Sequence, residues 1–205
     1  MLIEDIFMQN KKIILASASP RRAELLTALG IAFSQVPGSF NEPAREDGQK
    51  PGDYVMHNAR GKAESVARSR QDAIIIGADT VVVYRDRVLG KPADFDDARR
   101  CITMLKGRTH AVYTGLCVID AANGRLQQAY EKTAVRFRDL TEAEIDAYLL
   151  RIEPLDKAGA YAIQGLGALV VERIQGCYYN VVGFPVAKLE EMLLNSNVSL
   201  FQYMR

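Results

Sequence analysis

The sequence has few of the residues that mark disulfide-stabilised, zinc-binding or membrane-spanning proteins. It contains three cysteines without a CxxC spacing, no tryptophan, and two histidines, His57 and His110, with no shared acidic motif. An odd, unclustered set of cysteines argues against a disulfide framework or a zinc site. No run approaches the ~20 apolar residues of a membrane span. The opening residues, MLIEDIFMQNKK, are acidic where a secretory signal would be basic. We therefore expect a cytoplasmic protein.

The chain also lacks an excess of charge of either sign. The chain has 26 Lys and Arg against 25 Asp and Glu, a net charge of +1. This balance provides no general attraction to nucleic acid or to an anionic membrane, so we expect neither as a partner. Any anion site must come from a local arrangement of side chains. With 205 residues, the chain is most simply one domain with a sizeable core.

Hydrophobic periodicity predicts strands and helices that alternate until a hairpin intervenes. The predicted strands are 12–16, 32–36, 73–83, 110–120, 125–138 and 167–176, and an Asn-Gly pair joins the fourth to the fifth. The predicted helices are 20–29, 53–68, 95–106, 141–151 and 185–194, with Ser19, Asp53 and Asp94 as N-caps and Thr141 and Glu144 as a capping box. Phe95 is expected to face inward. The pattern indicates an α/β or α+β fold with a mixed, twisted sheet.

The first unusual stretch is LASASPRRAELL, residues 15–26, where the first strand gives way to the first helix. It places the hydroxyls of Ser17 and Ser19 at a helix start, where the helix dipole favours negative charge. The guanidinium groups of Arg21 and Arg22 suit phosphate. The alternative is an ordinary N-cap followed by two solvated arginines. Because arginine in a first turn opposes the dipole, we favour an anion site.

The second is a carboxylate inside IIIGADTVVV, residues 74–83, which otherwise reads as a buried strand. An unpaired charge there would cost several kcal/mol, so Asp79 is expected to reach water, a cation or a metal. Gly77 and Ala78 would leave room for a ligand. Asp79 is then a general base or a magnesium ligand. In the alternative interpretation it lies in a bulge and only accepts hydrogen bonds from backbone amides.

Several further polar residues are ordinary when taken singly. Lys62, Lys91 and Lys157 are each most simply solvated, and Glu42 is a plain loop acid. Together with Asp79 they would form a cationic cleft with two acids, the composition of a phosphoryl-transfer site. Gln164 is flanked by small and apolar residues and could pair with a base edge. A strand-end glutamine satisfied by the backbone is an equally good interpretation.

Five motifs in order, LASASPRRAELL, GADTVV, GKP, DKAGAYAIQGLG and NVVGFP, resemble those of the Maf family of nucleotide pyrophosphatases. The resemblance covers residues 12–193 and leaves 1–11 as an N-terminal extension and 194–205 as a C-terminal tail. It implies an elongated mixed α/β fold with two lobes around a nucleotide-binding cleft. It also implies hydrolysis of a nucleoside triphosphate to the monophosphate and pyrophosphate, a divalent cation (Mg²⁺ or Mn²⁺), and a homodimer.

The resemblance also implies roles for individual residues. Asp79 matches the proton acceptor that activates water and Glu42 the acid near the catalytic centre, and both are candidate metal ligands. Ser19, Arg22, Lys62 and Lys91 match the family's phosphate-binding residues, and the residue chemistry above adds Ser17 and Lys157 as candidate phosphate ligands. Arg21, Thr80 and Gln164 match the residues that select the base, and this combination resembles the dTTP/UTP branch. Gln164 could donate to O4 and accept from N3–H, an edge that thymine and uracil share.

A second class of function fits part of this pattern: a nucleotide-sensing or division-related binding protein without useful catalysis. Asp79 separates the two hypotheses. A sensor needs cations around the phosphates but no buried base, and an anionic side chain there would weaken its binding. We therefore expect an enzyme.

Overall fold

The computed structural model describes residues 11–205, so residues 1–10 of the expected N-terminal extension lie outside the described part. A seven-stranded mixed sheet flanked by helices confirms the predicted fold class. The strands are β1 (Lys12–Ala16), β2 (Ser34–Gln35), β3 (Ala73–Tyr84), β4 (Arg87–Leu89), β5 (Thr109–Asp120), β6 (Arg125–Phe137) and β7 (Val171–Gln175). The helices are α1 (Pro20–Ala28), α2 (Pro51–Ala67), α3 (Phe95–Leu105), α4 (Glu142–Leu149), α5 (Tyr178–Val182) and α6 (Val186–Leu194). None of these helices is long and apolar enough to cross a membrane.

The pairing of β3 creates a gap in the sheet. The strand order is β2-β1-β3-β5-β6-β7, and β4 also pairs with β3. On one edge, β3 pairs with parallel β1 as far as Gly77 and with antiparallel β4 from Val82 onward. On the other edge it pairs continuously with β5. Residues 78–81 of β3 therefore have no strand beside them on one edge, and Asp79, Thr80 and Val81 line a cleft there.

The two faces of β3 pack against different helices because successive side chains point to opposite sides. Ile74 and Ile76 join a core with residues of α1 and α6. Ile75 packs with Ala59 and Ala63 of α2. Helix α2 lies unusually close to the sheet. A Cβ at Gly77 would come within 2.1 Å of the carbonyl oxygen of Ala59, and one at Gly115 within 2.4 Å of Val55. The expectation that Gly77 leaves room for a ligand is therefore wrong: the helix occupies that space.

The structure confirms some of the predicted helix N-caps and contradicts another. The cap at Asp94 is confirmed, since its Oδ1 accepts from the backbone N–H of Asp97 at 2.7 Å. The capping box of Thr141 and Glu144 is also present. The Asp53 cap is wrong because α2 begins at Pro51, and proline is well tolerated in a first helical turn. Phe95 is 48% exposed and does not face inward.

The C-terminal third departs most from expectation. The predicted strand 167–176 is a short 3₁₀ segment, Gly165–Leu169, followed by β7, and α5 was not predicted. The residues expected to form a tail pack on the core. Leu200 and Tyr203 are buried with α1 and α6, and the Tyr203 hydroxyl donates to the carbonyl of Lys11 at 2.7 Å.

Candidate active site

A cleft of about 600 Å³ opens at the gap in the β3 edge. It extends from the loop after β1 and the start of α1 to the loop around Gly90. Of the residues expected to form a site, it is lined by Ser17, Ser19, Arg21, Arg22, Glu42, Lys62, Asp79, Thr80 and Lys91. The fold thus brings together side chains from five separate stretches of the sequence, as a substrate-binding site requires.

Asp79 lies on the α2 side of β3 and is 6% exposed. Its Oδ1 accepts from the Lys62 ammonium at 2.7 Å, and its Oδ2 accepts from the amide of Asn58 at 3.0 Å. Lys62 and Asn58 stand one helical turn apart on α2, so both reach the strand from the same helix face. The buried charge is therefore paired and hydrogen-bonded rather than held in a bulge by backbone amides.

Glu42 reaches the same lysine from the loop that precedes α2. Its Oε1 lies 2.8 Å from the Lys62 Nζ, and its side chain is 48% exposed. The loop is packed on α2, because a Cβ at Gly61 would come within 2.3 Å of the Phe40 ring. Two carboxylates, one buried and one half-exposed, thus share a single ammonium group at the edge of the cleft.

Asn58 contacts the candidate site but was not predicted from the sequence. It is fully buried, and its Oδ1 is buried without a hydrogen-bond partner among residues 11–205. Its spacing of four residues from Lys62 is the only available sequence signal. That spacing becomes meaningful only when α2 is known to lie against Asp79.

Thr80 faces the opposite side of β3, where Arg22 meets it. Arg22 is buried, and its guanidinium donates to the carbonyls of Gly183 and Ala78, both at 2.9 Å. It also donates to Ser17 Oγ at 2.8 Å and Thr80 Oγ1 at 3.1 Å. Burial lowers the pKa of Arg22 to about 10, so it stays charged at neutral pH. Four of its five N–H groups are committed to the protein, which leaves one for a phosphate.

The remaining candidates make few hydrogen bonds within the protein. Ser19 occupies the N-cap position without a side-chain capping bond, and its backbone N–H donates to Ser17 Oγ at 3.2 Å. Arg21 makes one long contact, 3.5 Å, with the carbonyl of Asp156. Lys91 is exposed at the cleft. These groups are available to an anion.

Within residues 11–205, two expected site residues are not among those that line the cleft. Gln164 is exposed at the start of the 3₁₀ segment Gly165–Leu169 and is not part of the lining. Lys157 donates to the carbonyl of Glu153 at 2.6 Å and contacts the Asp156 carboxylate. Its neighbours Asp156 and Ala158 line the cleft.

These groups define a class of site. Hydroxyls, a helix start and cations suit a polyanion such as an oligophosphate. A buried carboxylate held by two donors at the same cleft suits proton abstraction from water. An α/β protein with both features has the site of a phosphoanhydride hydrolase.

Comparison with known proteins narrows this class. The family model described as Maf-like protein matches residues 12–196. The chain is 47% identical over 190 residues to a dTTP/UTP pyrophosphatase of Bacillus cereus, covering 93% of this chain and 92% of that protein. It is 48% identical over 183 residues to a dTTP/UTP pyrophosphatase of Pelotomaculum thermopropionicum, covering 89% and 95%. The chain belongs to the Maf-like family.

A solved structure supports the fold assignment. The Staphylococcus aureus Ham1 protein matches 91% of this chain and all of that chain, with a TM-score of 0.51 and 13% sequence identity. At this identity the similarity concerns the arrangement of the sheet and helices alone.

Proposed function

We propose that this protein hydrolyses dTTP and UTP, together with modified pyrimidine triphosphates, to the monophosphate and pyrophosphate. The observation that carries the proposal is the group formed by Asp79, Lys62 and Glu42 at the edge of a cleft lined with phosphate-binding groups. The names of the relatives, which are 47–48% identical, support this choice of substrate.

In this proposal Asp79 accepts the proton of the attacking water. Asn58 and Lys62 hold its two oxygens in place, which fixes the direction in which the carboxylate meets the water. Lys62 also offers positive charge next to the reacting phosphorus, where negative charge develops. A nearby base of this kind contributes typically about 10²–10⁴-fold.

Phosphate binding is assigned to the start of α1 and to the lysines. Ser17, Ser19 and the remaining N–H of Arg22 would hold phosphate oxygens at the helix start, and Lys91 would neutralise them from the opposite wall. Lys157 stays a predicted phosphate ligand beside this wall. Selection of the base stays assigned to Arg21, Thr80 and Gln164.

The side chains present fit a divalent cation that binds together with the substrate. Mg²⁺ is usually held by one or two carboxylates plus substrate phosphates. Asp79 and Glu42 supply two carboxylates that lie close together, since both contact the Lys62 ammonium. Within residues 11–205 no cluster of three or more His, Cys, Asp or Glu side chains could hold a metal. Bound Mg²⁺ or Mn²⁺ would neutralise charge on the phosphates.

The test is pyrophosphate release from a panel of triphosphates by the purified protein in Mg²⁺. We expect dTTP and UTP to be the best substrates. Hydrolysis in H₂¹⁸O should label the monophosphate, because attack falls on the α-phosphorus, whereas label in pyrophosphate would mean attack on the β-phosphorus. Tight nucleotide binding without any release of pyrophosphate would support a nucleotide sensor and contradict the proposal.

Two broader expectations accompany the activity. We propose that the protein acts in the cytoplasm, where its substrates are found, and that it forms a homodimer. Light scattering coupled to size-exclusion chromatography tests the second point directly, since a monomeric mass would contradict it.

A further inference from the structure

Two threonine hydroxyls are neighbours on adjacent strands on the Thr80 side of the sheet. Thr80 and Thr114 are direct partners across β3 and β5, and their Oγ1 atoms are 2.9 Å apart. Thr114 Oγ1 also donates to the carbonyl of Asn180 at 3.1 Å. Thr114 and Asn180 are fully buried. Hydroxyls in such a core are costly unless they are hydrogen-bonded, so their arrangement fixes where each hydrogen points.

The direction of each bond follows from counting hydrogens and comparing distances. A threonine hydroxyl has one hydrogen and two lone pairs. The 3.1 Å contact of Thr114 with the carbonyl of Asn180 and its 2.9 Å contact with Thr80 are both hydrogen bonds only when the Thr80 hydrogen goes to Thr114. In the other arrangement Thr114 donates to Thr80 and Thr80 donates to the carbonyl of Gly183, which replaces the 3.1 Å bond by one of 3.4 Å. The first arrangement keeps the two shorter bonds, and in it the Thr80 hydrogen points to the buried Thr114.

Towards the cleft, the Thr80 hydroxyl can therefore act only as a hydrogen-bond acceptor. One lone pair of its Oγ1 accepts from Arg22 at 3.1 Å. The other has no hydrogen-bond partner within residues 11–205. Thr80 lines the cleft, so this lone pair is the group that a nucleotide would encounter.

We propose that Thr114 is a positioning residue for base selection: it binds the hydrogen of Thr80 and so makes the Thr80 oxygen an acceptor for the N3–H of uracil or thymine. This inference rests on the proposed function. Cytosine has an unprotonated N3, which would place two acceptors against each other. The site would then reject CTP through one fixed hydroxyl, because an unpaired polar contact at a buried base is strongly unfavourable.

The experiment measures kcat/KM for UTP, dTTP and CTP in wild type and in Thr114→Val. Without the Thr114 oxygen, the Thr80 oxygen still accepts from Arg22, but its hydrogen has only the long contact to Gly183 and can turn to the N3 of cytosine. We expect the UTP:CTP ratio to fall about tenfold. The dTTP:UTP ratio should not change, because the two bases share N3–H.

Thr114→Ser is the matched control, since it keeps the hydroxyl and should keep the wild-type UTP:CTP ratio. A purely structural defect in Thr114→Val would lower kcat/KM for all three substrates by the same factor. If that variant does not fold, Thr114→Ala tests the same loss. An unchanged UTP:CTP ratio in a folded variant, or an equal change in Thr114→Ser, would overturn the proposal.

Failure of the proposed function is recognised separately, in wild type. If wild type releases no pyrophosphate from UTP, the proposed activity is wrong, and the base preference is then measured as binding. Calorimetry with α,β-methylene analogues of UTP and CTP gives the two Kd values. Equal Kd ratios in wild type and Thr114→Val would overturn the role of Thr114.

Discussion

The two sides of β3 present different chemistry to one cleft. On the α2 side, Asp79 meets Lys62 and Asn58, and Glu42 joins them through Lys62, so the contacts are largely ionic. On the other side, Thr80 meets Thr114 and Arg22 within a network of hydroxyls and carbonyls. Asp79 and Thr80 are consecutive residues. The alternation of a strand therefore separates the proposed proton acceptor from the proposed base contact by a single peptide bond.

This difference predicts two kinetic phenotypes. Variants on the α2 side should lower turnover for every triphosphate by the same factor, because the reacting phosphates are common to all of them. Variants of Thr80 and Thr114 should change the ratio between bases, as argued for Thr114. Arg22 lies on the same side but is assigned to the phosphates, so its loss should affect every triphosphate alike. The comparison breaks if variants on the α2 side change the ratio between bases, or if variants of Thr80 and Thr114 leave it unchanged.

Asp79→Asn should have the largest effect. The amide cannot accept the proton of water, so kcat should fall at least about a hundredfold for all triphosphates, while nucleotide binding survives. The measurements are pyrophosphate release and calorimetric binding with dTTP, UTP and CTP. Release near the wild-type rate would remove Asp79 from the mechanism.

The matched control for this change is Asp120→Asn. Asp120 is also a buried strand carboxylate paired with a lysine, since the Lys11 Nζ lies 2.6 Å from its Oδ2. It does not line the cleft. Activity should persist in the folded Asp120 variant, which shows that loss of a buried ion pair is not sufficient to stop turnover.

Arg22→Ala tests whether the Thr80 side depends on its buried cation. The substitution leaves the carbonyls of Gly183 and Ala78 without their donor, so we expect the free energy of unfolding to fall by at least about 2 kcal/mol. Arg21→Ala is the control. Its single 3.5 Å contact predicts a change within about 0.5 kcal/mol. Urea denaturation of both variants measures the difference, and equal stability would show that the Arg22 bonds contribute little.

Asn58→Ala tests the α2 side without touching a charge. Loss of the bond to Asp79 Oδ2 frees the carboxylate to rotate, so kcat should fall about tenfold with an unchanged UTP:CTP ratio. This is the opposite pattern to Thr114→Val, which changes the ratio. A change in the ratio between bases would mean that Asn58 acts beyond Asp79.

The sequence was most informative where the determining contacts are local. The Asp94 cap and the Thr141 capping box involve residues three positions apart, and both are present. Asp53 was predicted as an N-cap although Pro51 is a local signal for the true start of α2, since proline is favoured in a first helical turn. The contact between Asn58 and Asp79 depends on how closely α2 approaches the sheet. That approach is set by Gly77 and Gly115, and no periodicity reveals it.

The same limit applies to the site residues. Most candidates lie around one cleft because LASASPRRAELL joins β1 to α1, GADTVV spans the gap within β3, and GKP follows β4. Motif order could not show that Arg22 donates mainly to the protein, or that Gln164 is exposed outside the lining. Those facts depend on packing between segments that are far apart in sequence, such as Arg22 with Ala78 and with Gly183.

His110 gives the smallest predicted effect and tests whether the Thr80 side tolerates a second buried positive charge in addition to Arg22. It lies on the same face of β5 as Thr114, and its Nε2 is 2.8 Å from the hydroxyl of Tyr161, which lines the cleft. Burial lowers the pKa of His110 from 6.5 to about 4, so the imidazole stays neutral in the folded protein. The unfolded chain takes up a proton below pH 6.5. Stability from this group is therefore present above pH 6.5 and is lost as the pH falls toward 4.

The expected loss is about 1 kcal/mol between pH 6.5 and pH 5.5, from the linkage between folding and protonation. Carboxylates also titrate at the acidic end of this range, so the informative quantity is the difference between wild type and His110→Gln. Glutamine can still bond to the Tyr161 hydroxyl but does not titrate. Urea denaturation at the two pH values should show a loss that is about 1 kcal/mol larger in wild type than in the variant. Equal losses would mean that His110 is protonated within the folded protein, and that this side of the cleft accepts a positive charge without cost.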